Sequence, residues 1–124
     1  MSQAKTTQPG LAKGGECAKN LQPVQDALYV LSGKWKLPII IALGHGNYRF
    51  KELLRQIPGI TPRVLSKELK DLENNELLTR TVFDSMPVTI EYRLTAYADT
   101  LHEVVQALHK WGEQHRRRII KKKK

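Results

Sequence analysis

Arg63, Lys67 and Lys70 recur at i, i+4 and i+7, and Leu65, Leu69 and Leu72 recur at the same spacing two residues on. At about 100° per residue the leucines share one narrow arc and the cations lie on nearly the opposite side, with Val64 and Ser66 on the shoulders. The leucine face suits burial. The opposite face offers positive charge, a forked donor and a small hydroxyl, which is chemistry for phosphates and for base edges. Arg63, in the first turn, is best placed to reach a guanine edge with two parallel N–H groups. Lys67 and Lys70 suit phosphates as point charges. An isolated helix of this kind is more often a plain solvated face, so the surrounding elements decide.

Thr61 as N-cap and Pro62 as first helical residue open that helix, which is predicted to close near Asn74 and Asn75. A shorter helix from about Lys51 to Gln56 precedes it, and Ile57-Pro58-Gly59-Ile60 forms the turn between them, since Pro and Gly cannot continue a helix. Two runs of period-two alternation follow. Leu78, Arg80 and Val82 share a face in Leu78–Phe83, and Val88, Ile90, Tyr92 and Leu94 share one in Val88–Leu94. Asp84-Ser85-Met86-Pro87 between them has the length and composition of a hairpin loop. Helix, turn, helix and hairpin make a helix-turn-helix with a two-stranded wing. In that context Thr61, Pro62, Arg63, Ser66, Lys67 and Lys70 read as the surface that enters the major groove of double-stranded DNA.

Arg49 and Lys51, at the start of the shorter helix, are candidate phosphate contacts. Ser85 and Met86 at the wing tip either approach the minor groove or form an ordinary exposed loop, and Asp84 beside them opposes phosphate. Arg80 and Arg93 are expected to pair with acids such as Glu91 across the hairpin.

Upstream, a helix is predicted from Pro23 to Gly33, carrying Val24, Ala27, Leu28 and Leu31 at helical spacing. A second, from about Lys34 to Leu43, tolerates Pro38 in its first turn and stops at Gly44 and Gly46. Tyr48 to Phe50 is predicted as a short extended piece. A long helix after Thr95 carries the stripe Leu101, Val104, Val105, Leu108 and Trp111. The expected class is α+β and mostly helical, a winged helix-turn-helix closed by a long C-terminal helix. The domain is expected over residues 23–115, after a flexible arm at 1–22 and before a basic tail at 116–124.

The 124 residues carry a formal charge of +9. That excess belongs to the ends: residues 116–124 hold seven basic side chains and no acid, whereas 23–115 balance eleven basic groups against eleven acidic ones. Inside the domain the charge is polarised, with eight basic and two acidic groups from Lys34 to Lys70 and three basic against eight acidic from Asp71 to His115. A neutral domain with one basic end can still present phosphate with a local footprint.

A single cysteine, Cys17, excludes an intramolecular disulfide framework and a CxxC metal site. His45, His102, His109 and His115 are too scattered for a metal set, and no catalytic triad, phosphate-binding Gly loop or carboxylate pair appears. No enzyme, cofactor or metal is therefore expected. No apolar run is long enough to span a membrane and the first residues lack a signal core, so a cytoplasmic location is expected. Two other functions fit the same elements: a winged-helix module whose outward face meets protein, and a sequence-blind nucleic-acid protein driven by its basic tail. The basic face of Arg63, Lys67 and Lys70 disfavours the first.

Pro23-Val24-x-x-Ala27-Leu28, Gly33-Lys34-Trp35 and Arg49-Phe50-x-Glu52-Leu53 occur in that order. Pro58-Gly59-Ile60-Thr61, Val64-Leu65-Ser66-x-Glu68-Leu69, Leu72-Glu73, Val88-x-Ile90-Glu91-Tyr92-x-Leu94-Thr95 and Trp111-Gly112 follow. Together these resemble the HxlR-type winged-helix regulators of bacteria, over Pro23 to Trp111. The resemblance implies a homodimeric transcription factor on an inverted-repeat operator, its dimer built from the first and last helices. Leu28, Leu31, Leu101, Val104, Val105, Leu108 and Trp111 then become dimer candidates. Many members carry a cysteine immediately before the Pro-Val pair, and some use it to sense oxidants or electrophiles. Here Gln22 holds that position and Cys17 lies five residues earlier. Cys17 is either a redox sensor or a reduced thiol on a flexible arm. A small-molecule or oxidant effector stays unidentified.

Overall fold

The computed structural model describes residues 15–123, so most of the arm expected at 1–22, and Lys124, lie outside the described residues. The chain divides into two units, residues 1–34 and 35–124.

In the first unit, α1 runs from Gly15 to Leu31 with Pro23 inside it. The sequence placed the helix start at Pro23, eight residues too late. Pro23 lacks only one backbone donor, and the residues before it (Glu16, Ala18, Lys19, Leu21, Gln22) are good helix formers, so the helix continues N-terminally through the proline. Gln22 Nε2 donates to Asp26 Oδ1 across one turn, 2.9 Å. Gly33, at φ 100°, takes the left-handed conformation that follows a helix end.

The second unit begins with α2, Lys36–Gly44, which buries Ile39, Ile40, Ala42 and Leu43. A helix apolar on nearly every side belongs in a core. Asn47 Nδ2 donates to the Ala42 carbonyl and satisfies one of its last acceptors. Next comes α3, Phe50–Gln56, entered through Arg49, whose backbone N–H donates to Glu52 Oε1 at 3.0 Å. The turn that follows buries Ile57 and Ile60 and places Gly59 at φ 86°. It delivers the chain to α4, Pro62–Asn74, where Thr61 Oγ1 accepts the Val64 N–H at 3.2 Å. The Thr61 cap is the one expected from the sequence, whereas the Glu52 contact at the start of α3 was not anticipated.

Strands β1, Leu78–Phe83, and β2, Thr89–Leu94, form one antiparallel pair running from Leu78 opposite Leu94 to Phe83 opposite Thr89. Tyr48 to Phe50 is not a strand. Phe50 already begins α3, and a backbone bond from the Tyr92 N–H to the Tyr48 carbonyl at 2.8 Å joins the segment to the hairpin. Thr95 clamps the base of the hairpin, its N–H donating to the Leu77 carbonyl and its hydroxyl to that of Glu76.

After a 3₁₀ turn at Tyr97–Leu101, α5 extends from His102 to Lys123. The sequence ended the domain at 115 and made the rest a tail. Arg and Lys are good helix formers, and positive charge is favourable at a helix C-terminus, so the basic run prolongs α5 instead. The core of this unit gathers α2, Leu53 of α3, the α4 leucines, Leu77, Leu78 and Ala98.

Candidate nucleic-acid interface

Leu65, Leu69 and Leu72 are almost wholly buried, which fixes the rotation of α4 and leaves Arg63, Ser66, Lys67 and Lys70 exposed. The outward face is less simply basic than its spacing implies. Lys67 Nζ lies 2.9 Å from Asp71 Oδ2, and Lys70 Nζ lies 3.5 Å from Glu73 Oε1. Lys67 is raised above the ordinary lysine pKa, first by its hydrogen bond to Asp71 and then by the charges of Asp71 and Glu68. Asp71 is lowered, chiefly by the hydrogen bond from Lys67. Arg63 carries neither of these ion pairs and sits at the exposed start of the helix, its guanidinium available to a ligand.

Behind α4 stands Lys36 of α2, a residue the sequence gave no reason to single out. Its Nζ is 2.5 Å from Glu68 Oε1 and 3.5 Å from Asp71 Oδ2. Lys36 and Glu68 side chains are 13% and 15% exposed, so this pair is nearly enclosed. Thirty-two residues separate them, beyond the reach of any helical spacing rule.

Where α4 meets the hairpin, Ser66, Lys70, Glu73, Arg80 and Tyr92 line a shallow hollow. Arg80 therefore faces α4. Of the pairings expected for Arg80 and Arg93, the one between Arg93 and Glu91 forms, at 3.1 Å along a single strand and not across the hairpin, with Arg93 lying over the Tyr48 ring at 3.9 Å, while Arg80 makes no ion pair among the described residues. The pleat explains it. Glu91 and Arg93 project from the same face of β2, while Arg80 stands opposite Tyr92 on the other. The alternation that put Arg80 beside Leu78 and Val82 held the signal for its position.

Arg49, exposed, reaches Glu91 at 4.0 Å, and Lys51 is exposed on α3. Ser85 and Met86 sit at the wing tip. The Ser85 hydroxyl donates to the Pro87 carbonyl at 2.7 Å, which orders the loop, and Met86 is 100% exposed. Among the described residues no three His, Cys, Asp or Glu side chains gather as a metal site, and no single helix is long and apolar enough to cross a membrane.

A three-helix core with a recognition-type helix, a turn before it and a wing behind it is the fold of the winged-helix transcriptional regulators. Residues 30–120 match the family described as HxlR-like helix-turn-helix, and the chain belongs to that family. It is 36% identical over 96 residues to the HTH-type transcriptional regulator YtcD of Bacillus subtilis, covering 77% of this chain and 76% of that one. It is likewise 36% identical over 91 residues to YodB of the same organism, covering 73% and 81%. Among solved structures, the redox regulator HypR in its reduced form superposes with a TM-score of 0.72 at 37% identity, covering 77% of this chain and 94% of that one. Diamide-treated YodB from B. subtilis gives 0.65 at 35% identity, covering 75% and 92%. The protein is a DNA-binding transcriptional regulator of the helix-turn-helix type.

Proposed function

We propose that the chain acts as a homodimer on an inverted-repeat operator, with α4 in the major groove of each half-site. The observation that carries this is the rotation of α4. Burial of Leu65, Leu69 and Leu72 turns Thr61, Pro62, Arg63, Ser66, Lys67 and Lys70 outward as one surface. Arg63 reads a base edge, while Lys67, Lys70, Arg49, Lys51 and Arg80 meet phosphates, and Ser85 and Met86 bring the wing to the adjacent groove.

The apolar face of α5 supports the dimer. Val104, Leu108 and Trp111 are 42%, 50% and 63% exposed, and beside them Leu37, Ile41, Val105 and Leu108 line an open groove of about 650 Å³. Such a surface suits a partner helix better than water. Leu101 and Val105 are half-buried and serve both the domain and this face. In α1, Leu28 is exposed and Leu31 buried, so Leu28 is the residue offered to a second copy. Two-fold symmetry places the α4 helices about 34 Å apart, one turn of DNA.

Footprinting on the DNA upstream of the protein's own coding sequence tests the reading. A protected inverted repeat is expected; protection without sequence preference supports the nonspecific alternative, and no protection at all supports a protein-binding module.

HypR is a redox regulator, and YodB was solved after diamide treatment. These likenesses favour a redox input through Cys17, which falls within α1 and whose side chain lies outside the described residues. Diamide is expected to change operator affinity in the native protein and not in Cys17→Ser. Equal responses in the two remove Cys17 from the signal.

A further inference from the structure

A groove-reading helix normally needs its cations free, yet α4 carries as many acids as bases: Glu68, Asp71 and Glu73 against Arg63, Lys67 and Lys70. Asp71 is the acid of most consequence, because its Oδ2 holds Lys67 at 2.9 Å. Lys67 can reach a phosphate only by leaving that bond, and an abandoned carboxylate would then stand close to the DNA backbone. The same Oδ2 also faces Lys36 at 3.5 Å, from the side of α4 turned towards α2. Lys36 is held in place by its nearly enclosed pair with Glu68, whereas Lys67 is 69% exposed.

We propose that Lys36 is a positioning residue for DNA binding, one that neutralises Glu68 and Asp71 from behind so that Lys67 can exchange Asp71 for a phosphate. The two lysines differ in what they can do. Lys36 is anchored by Glu68 and cannot reach the outward face. Lys67 is tied to α4 through a single half-buried carboxylate. When a phosphate arrives, Asp71 passes from a shared contact to Lys36 alone, and the acid that would repel the backbone keeps a counter-charge. Without Lys36, Asp71 retains Lys67, and Glu68 becomes an uncompensated acid behind the reading face. This exchange rests on the reading that α4 meets DNA.

The test is the salt dependence of binding to a mixed-sequence duplex of about three helical turns. Each phosphate contact contributes about 0.9 to the slope of log K against log salt. Lys67→Ala is expected to lower the slope by about 1.8 for a two-fold dimer, which is about twelvefold in affinity over a fourfold rise in salt. The paired variant Lys36→Gln/Glu68→Gln keeps net charge and a side-chain hydrogen bond, which guards the fold, and circular dichroism checks it. That variant is expected to show the Lys67→Ala slope, with no further fall when Lys67→Ala is added. Adding Asp71→Asn to it should restore the native slope, whereas Asp71→Asn in the native background should change the slope much less.

A native slope in the paired variant overturns the proposal, as does equal gain from Asp71→Asn in both backgrounds. A uniform affinity loss without slope change also overturns it, since that is the mark of a merely structural lysine. If Lys67→Ala leaves the slope unchanged, or the native protein shows no salt-dependent binding, the DNA-facing reading of α4 fails first and takes this proposal with it.

Discussion

Arg63 and Lys67 occupy the same outward face of α4 but stand in different electrostatic states, and this separates their expected roles. Arg63, outside the ion pairs of its helix, has its forked donor set available for a guanine edge. Arg63→Ala is expected to relax specificity at one position of each half-site and to cost about 1–3 kcal/mol there. Competition binding on duplexes varied at single positions reads this, and an equal loss on every sequence shows a phosphate contact instead. Lys67 is committed to Asp71, which gives a pH prediction. The Asp71 carboxyl is held below its ordinary value near 3.8, first by the hydrogen bond from Lys67. The folded-state pKa is the lower one, so the stabilisation is fully present above the ordinary value and is lost as pH falls through the depressed value. Urea midpoints measured from pH 6 downwards (a range chosen about the carboxylate pKa) are expected to fall more steeply in the native protein than in Asp71→Asn. Parallel curves in that range would show that the pair adds nothing to stability, which is the common outcome for exposed ion pairs.

At the scale of the element, α4 is legible because three independent signals agree on one helix: the Thr61 cap, Pro62 at the first position and the leucine stripe. The Val64 N–H bonded to Thr61 Oγ1 would otherwise lack a partner at the helix start. Thr61→Ala is expected to cost about 1 kcal/mol of stability by chemical denaturation. If the helix is also misplaced at its first turn, operator affinity falls further than the stability loss explains, since Arg63 sits in that turn. The hairpin is legible from alternation and the composition of its loop, and both strands are found, yet the neighbour of Arg80 and the second partner of Glu91 are not legible. Alternation gives the face of a side chain and not its neighbour. Glu91 receives Arg93 from its own strand and Arg49 from before α3, and no pattern along the hairpin encodes the second of these.

At the scale of the molecule, the exposed apolar stripe of α5 is the surface on which the proposed dimer rests. Leu108→Glu places a charge in the middle of that stripe and removes nothing from the buried core, as Leu108 is half exposed. Sedimentation is expected to show a monomer with the native helix content. Operator affinity should fall by at least about 100-fold, because two half-sites are then no longer engaged together. A dimer that survives the change puts the interface elsewhere. The basic end of α5 changes in meaning as well: six of its seven basic residues fall within the helix that carries that same stripe.

The sequence by itself determined the helix-turn-helix, the wing, the rotation of α4 and its caps. Each of these is a local signal, carried by spacing within one element or by the residues that flank it. It also showed that the high pI belongs to the chain ends and that the charge within the domain is polarised. Only the tertiary structure decided which cations on that face are engaged. Lys36 lies thirty-two residues from Glu68, and Arg80 is turned towards α4 by strand pairing, so their placement depends on packing between elements distant in sequence. The extent of α1 and α5 is by contrast a contest between local cues. Pro23 looked like a start and the basic run like an end, yet helix propensity across good helix formers outweighed both.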